Sequence, residues 1–210
     1  YYADRMNHTP KSFIREILKV TDSPDVISFA GGLPNPETFP VKELQKAADD
    51  AIMQHGSRLF QYASTEGHMP LREYIAQRYQ TKYGLSFDGE DILLTNGSQQ
   101  ALDLLSKALL NQGDCVVVEE PGYLGAIQAL SIYEPTFLPV PLKEDGLDIE
   151  ALGKTLQEHP VKLIYTVPNF HNPTGRTYSR ENRQAILDLL SGTDIVLVED
   201  DPYGELRFTG

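Results

Sequence analysis

The chain has 210 residues, 40% of them apolar and 23% charged, with a formal net charge of −12. This is ordinary globular composition, which makes disorder a poor reading, and the acidic balance with scattered basic residues argues against nucleic acid as a partner. No apolar run approaches the roughly 20 residues that cross a bilayer, and the amino end lacks the charged-then-apolar pattern of a signal peptide, so no membrane partner is expected. The single Cys115 lies in the apolar run CVVVEE, which leaves neither a disulfide framework nor a cysteine-based metal site. A reducing, cytoplasmic setting without a metal is the expectation.

In chain order, the sequence first predicts a short amphipathic helix over 12–20, then the Gly/Pro-rich AGGLPNPETFP, then helices over 41–55 and 69–83. From residue 91 onward, short apolar runs alternate with segments of helical period. Strands are predicted at 92–95, 115–119, 136–140, 163–167 and 195–199, with helices at 99–110, 123–132, 149–158 and 180–190. Ser98 and Ser179 are placed as N-caps. This succession predicts an α/β fold whose mainly parallel sheet is flanked by helices. Residues 1–60 are taken as an amino-terminal arm with part of a smaller domain, packing against something beyond this chain. Residues 61–210 are taken as a large domain whose carboxyl-terminal part is missing. Both ends look cut, since the chain does not begin with Met and stops at LRFTG as an apolar strand is starting.

In open α/β sheets, ligands collect at the carboxyl ends of the strands, so the loops there are where chemistry is sought. TNGSQQ places a Gly and a Ser at the entry to a helix, where free amides and the positive end of the helix dipole favour a phosphate contacted by Ser98 and Gln99. A plain helix cap at Ser98 is the alternative. There is no GxGxxG, which disfavours a dinucleotide. In EEPGY, Tyr123 follows a Pro-Gly turn and offers a ring for stacking, or merely packs. The two X-Pro units of VPNFHNPTG stiffen a loop able to aim Asn172 into a cleft, although a surface turn satisfies the same residues. EDDPY ends a strand with three acids and Tyr203, a pattern that more often caps or solvates than catalyses.

Together and in this order, these loops resemble fold-type I pyridoxal-phosphate enzymes, the aspartate-aminotransferase superfamily, and most closely its α-aminoadipate/kynurenine aminotransferase subgroup. The resembling segments are ISFAGGLPNPETFP, QYASTEG, LLTNGSQQALDLL, EEPGYLGAIQAL, YTVPNFHNPTG and VEDDPYGEL. The resemblance implies the fold-type I large domain and pyridoxal 5'-phosphate as cofactor. It implies an aminotransferase exchanging an amino group between an amino acid and a 2-oxo acid, with glutamate/2-oxoglutarate as one pair.

By the same resemblance, Asp200 pairs with the pyridine nitrogen, Asn172 and Tyr203 hydrogen-bond the phenolic oxygen, Tyr123 stacks on the ring, and Ser98 and Gln99 cup the phosphate. Tyr62 resembles a tyrosine that reaches the phosphate of a neighbouring subunit, which implies a homodimer. Gly31 and Gly32 resemble the stretch lying against the substrate, where the backbone can approach closely. Arg15, on the predicted amino-terminal helix, is placed to meet the distal carboxylate of an acidic substrate, or is simply a solvated arginine. All nine lysines precede Asp200. The family's Schiff-base lysine and substrate-carboxylate arginine would follow it, so this polypeptide by itself is expected to be inactive. A lyase or decarboxylase on the same scaffold, and a cofactor-binding sensor fused to a DNA-binding module, stay open as alternatives.

Overall fold

In a computed structural model of the chain, residues 1–7, 32 and 34–209 are described. Arg15, Gly31 and the predicted helix over 12–20 lie outside them. The chain divides into two compact units, Ser12–Thr95 in one and Tyr1–Lys11 with Asn96–Gly210 in the other.

In the first unit, α1 (Val41–His55) and α2 (Met69–Tyr83) have the predicted bounds. α2 ends where Gly84 turns left-handed, at φ 68°, a conformation that disfavours any side chain, and its amide bonds back to Gln80 O. The buried Arg72 of α2 donates through Nε to Ile92 O at 2.8 Å and meets Glu90 at 3.2 Å. The strand predicted over 92–95 does not form. Its polar backbone is engaged instead by Arg72 and by a bond from Leu94 N to Glu66 O, 2.9 Å long, rather than by a neighbouring strand.

The second unit carries a five-stranded sheet: β1 (Cys115–Glu120), β2 (Thr136–Lys143), β3 (Gly146–Leu147), β4 (Val161–Thr166) and β5 (Val196–Glu199). Its order is β3-β2-β1-β4-β5. β1, β2, β4 and β5 pair in parallel, while β3 folds back antiparallel on β2 through Leu142 and Leu147. That hairpin lengthens the predicted third strand beyond residue 140. Among the described residues the unit's α-helices are α3 (Ser98–Leu109), α4 (Leu124–Ser131), α5 (Ile149–Glu158) and α6 (Arg180–Leu190).

β1 buries Cys115 through Glu119, as a parallel strand covered on both faces must. Its side chains alternate. Val116 and Val118 pack with Leu102, Ala126, Leu130, Leu163 and Tyr165, whereas Cys115 and Val117 pack with Val140, Leu152, Ile164 and Ile186. Thus α3 and α4 cover one face, and α5 and α6 the other. Each fully buried Leu or Ile contributes roughly 1.5–3 kcal/mol to holding the layers together.

β1 has β2 on one side and β4 on the other, and the connections to them run over opposite faces. The strand order reverses there, which opens a crevice at the carboxyl ends of β1 and β4.

Candidate active site

Ser98, Tyr123, Asn172, Asp200 and Tyr203 line one cavity at this reversal, together with Val167 and Pro202. They come from four different strand or helix ends. Ser98 opens α3; Tyr123 sits after β1 at the N-cap of α4; Asn172 belongs to the loop after β4; Asp200 and Tyr203 follow β5.

Ser98 is not the helix cap that its position suggested. Gly97, at φ 80°, occupies the cap position without a side-chain bond, and Ser98 is the first helical residue and lines the cavity. A glycine there lets the chain turn sharply enough for the first amides of α3 to face the crevice. Ser179, by contrast, caps α6 by accepting from Asn182 N at 3.0 Å. Gln99 follows Ser98 on α3. A Cβ on Gly125 would fall 2.6 Å from the Tyr123 ring and 2.8 Å from Gln99 Nε2, so the absence of a side chain at Gly125 makes room for both groups.

Asp200 is set by two bonds. Its amide donates to Thr166 O at 2.9 Å, and its Oδ2 accepts from the buried Tyr165 hydroxyl at 2.7 Å. Burial, reinforced by the bond to Asp200, pushes the Tyr165 phenol far above its ordinary range, which keeps it a donor. Asp201 serves structure instead, accepting from Asn169 Nδ2 and from Gly204 N, both at 2.9 Å. Arg183 of α6 donates to Asn169 Oδ1 at 2.8 Å and to Pro168 O at 3.0 Å, so Asn169 links α6 to Asp201 after β5.

The loop after β4 is strained where it approaches the cavity. Phe170 is left-handed at φ 49°, its amide held by Thr177 Oγ1 at 3.1 Å. Asn172 and Tyr203 form a shared wall, with the cavity on one side and an apolar hollow lined by Phe170, Pro173, Leu206 and Phe208 on the other.

Tyr165, Glu119, His171, Asn169 and Arg183 were missed in the sequence. A tyrosine inside an otherwise apolar buried strand was the available signal, since a buried phenol needs a partner. Tyr62 and Gly32 belong to the other compact unit; Tyr62 is fully exposed and Gly32 has φ 57°.

The cavity therefore offers one fixed carboxylate, an amide and a phenol on a shared wall, an aromatic ring, and a helix N-terminus with a hydroxyl. This donor set fits a flat heterocycle that carries a basic ring nitrogen at one end and a phosphate at the other.

Comparison with known proteins agrees. The chain is 42% identical to aromatic-amino-acid aminotransferase 1 of Thermococcus litoralis over 215 residues, covering 100% of this chain and 52% of that protein. It is 43% identical to 2-aminoadipate transaminase of Thermus thermophilus over 197 residues, covering 94% and 48%. The crystal structure of Pyrococcus horikoshii kynurenine aminotransferase, in complex with PMP, superposes with a TM-score of 0.92 at 42% identity, covering 100% of this chain and 53% of that one. The chain thus spans about half the length of the curated relatives it matches. The family model for aminotransferase class I and II matches residues 24–210, and the chain belongs to that family.

Proposed function

We propose that the full-length protein is a pyridoxal-phosphate-dependent aminotransferase whose cofactor occupies the cavity at the carboxyl ends of β1 and β4. The observation that carries this reading is the convergence of Ser98, Tyr123, Asn172, Asp200 and Tyr203 on one cavity. Bound there, pyridoxal phosphate supplies an electron-withdrawing ring that takes up charge released at the substrate's α-carbon.

The chain's own residues hold that ring in a working state. Asp200, one oxygen occupied by Tyr165, turns its carboxylate to the ring nitrogen and keeps a proton there. The Asn172 amide and the Tyr203 hydroxyl donate to the phenolic oxygen, Tyr123 lies against the ring face, and Ser98, Gln99 and the first amides of α3 take the phosphate.

Tyr62 reaches the phosphate of a second subunit. Its full exposure supports this, as do the exposed Val41, Leu44 and Ile52, which share one face of α1 suited to a second copy of the chain. Gly31 and Gly32 lie against the substrate, and Arg15 takes the distal carboxylate of glutamate or 2-aminoadipate. The setting is cytoplasmic.

Incubating the full-length protein and its cofactor with an amino acid and 2-oxoglutarate tests the reaction class. The keto acid and glutamate are expected to appear one for one. Keto acid with free ammonia and no glutamate would make the protein a lyase.

A further inference from the structure

Glu119 and His171 are almost fully buried, and nothing in the proposed chemistry uses them. Glu119 ends the buried run of β1. Its Oε1 accepts from Val167 N at 3.0 Å and from the Tyr178 hydroxyl at 2.6 Å. Its Oε2 lies 3.1 Å from His171 Nε2, an approach off the line of a good hydrogen bond, and neither atom has an aligned partner among the described residues. Burial, then the charge of Glu119, pushes the Tyr178 phenol up and keeps it a donor.

The other ring nitrogen of His171 faces Thr174, whose Oγ1 is 2.9 Å away and whose amide donates to Nδ1 at 3.4 Å. An Nδ1 that accepts leaves the ring proton on Nε2, turned to Glu119. The backbone of His171 is pinned as well: its amide donates to Arg176 O and its carbonyl accepts from Gly175 N. Ring and backbone are both fixed one residue before Asn172, in the loop that bends sharply at Phe170.

We propose that Glu119 and His171 form a buried positioning pair that sets the loop after β4 so that the Asn172 amide faces the phenolic oxygen of the cofactor. The inference rests on the proposed role of Asn172. A pair that only stabilised the fold would lower thermal stability without touching the cofactor's ionisation. A pair that aims Asn172 changes that ionisation, because an amide donating to the phenolic oxygen favours the more anionic, alkaline form of the bound cofactor.

The test uses the full-length protein loaded with pyridoxal phosphate and reads the pH at which the bound cofactor's visible absorption changes, with the cofactor dissociation constant and thermal midpoint alongside. His171→Asn can still meet Thr174 but is too short for Glu119. It is expected to raise the absorption pH by about one unit, a tenfold change in the ionisation constant. His171→Gln carries an amide nitrogen to the Nε2 position and should stay within about threefold of the parent. Tyr178→Phe should lower the thermal midpoint and leave the absorption pH in place. If His171→Asn does not fold, Glu119→Gln decides by the same reading, since it sets an amide N–H against the His171 N–H. An absorption pH unmoved in His171→Asn while Asn172→Ala moves it overturns the positioning role, as does a His171→Gln variant shifted as far as His171→Asn. If Asn172→Ala itself leaves the absorption pH in place, the reading of the site fails and the inference with it.

Discussion

Two apolar-rich segments of this molecule meet opposite fates. β1 buries Cys115 through Glu119 under helices on both faces, whereas α1 buries no residue and leaves Val41, Leu44 and Met53 exposed. Each unit accordingly holds a different kind of residue. The sheet unit completes its own core, and around its strand ends it fixes side chains to within hydrogen-bond geometry: Asp200 by Tyr165, Asn169 by Arg183, Glu119 by Tyr178. The Ser12–Thr95 unit keeps apolar surface available for contact. The contrast accords with the proposal that puts chemistry at the preorganised strand ends, and recognition of substrate and partner with the unit that has surface to spare.

The largest effect that this division predicts falls on Asp200. Asp200→Asn in the full-length enzyme should cut turnover by about 10³-fold or more while leaving the cofactor bound, because an amide cannot hold a cationic ring nitrogen. Single-turnover rates with a good amino donor measure it, and a mutant within tenfold of the parent would reduce Asp200 to a strand-end acid. Next comes Tyr165→Phe, which strips one donor from a carboxylate. A hydrogen bond to a charged group contributes about 1.5–3 kcal/mol. We expect turnover to fall by about tenfold, equivalent to roughly 1.4 kcal/mol, together with a lower thermal midpoint. Unchanged kinetics would show that Tyr165 only fills the core.

The most selective effect, confined to one class of substrate, belongs to the other unit. Arg15→Ala should reduce kcat/KM for 2-aminoadipate by about tenfold, roughly 1.4 kcal/mol, and leave leucine nearly unchanged. Equal losses on both substrates would make Arg15 a surface residue and blur the division between chemistry and recognition.

How much of this was legible in the sequence follows from the range of the interactions. The helices Ile149–Glu158 and Arg180–Leu190 have the predicted bounds because their period and caps are local, with Asp148 and Ser179 accepting from amides three residues on. Residues 92–95 look like a strand by composition, yet a strand exists only through a neighbour, and here Arg72 and Glu66 take its place. The lining residues Ser98, Tyr123, Asn172, Asp200 and Tyr203 were visible because each sits in a short motif at a strand or helix end. Tyr165 and Asp200 are 35 residues apart, and Glu119 and Tyr178 are 59 apart, so no local pattern could pair them. Gly97 displaced Ser98 from the cap because the backbone there needs a positive φ that serine disfavours.

The central claim is that the strand-end cavity of this chain holds pyridoxal phosphate while its covalent anchor comes from elsewhere in the full-length protein. Borohydride reduction of the active full-length enzyme, followed by peptide mapping of the fixed cofactor, tests it most directly. The adduct is predicted on a lysine that follows Asp200 in the chain. An adduct on any of the nine lysines that precede Asp200 would contradict the account.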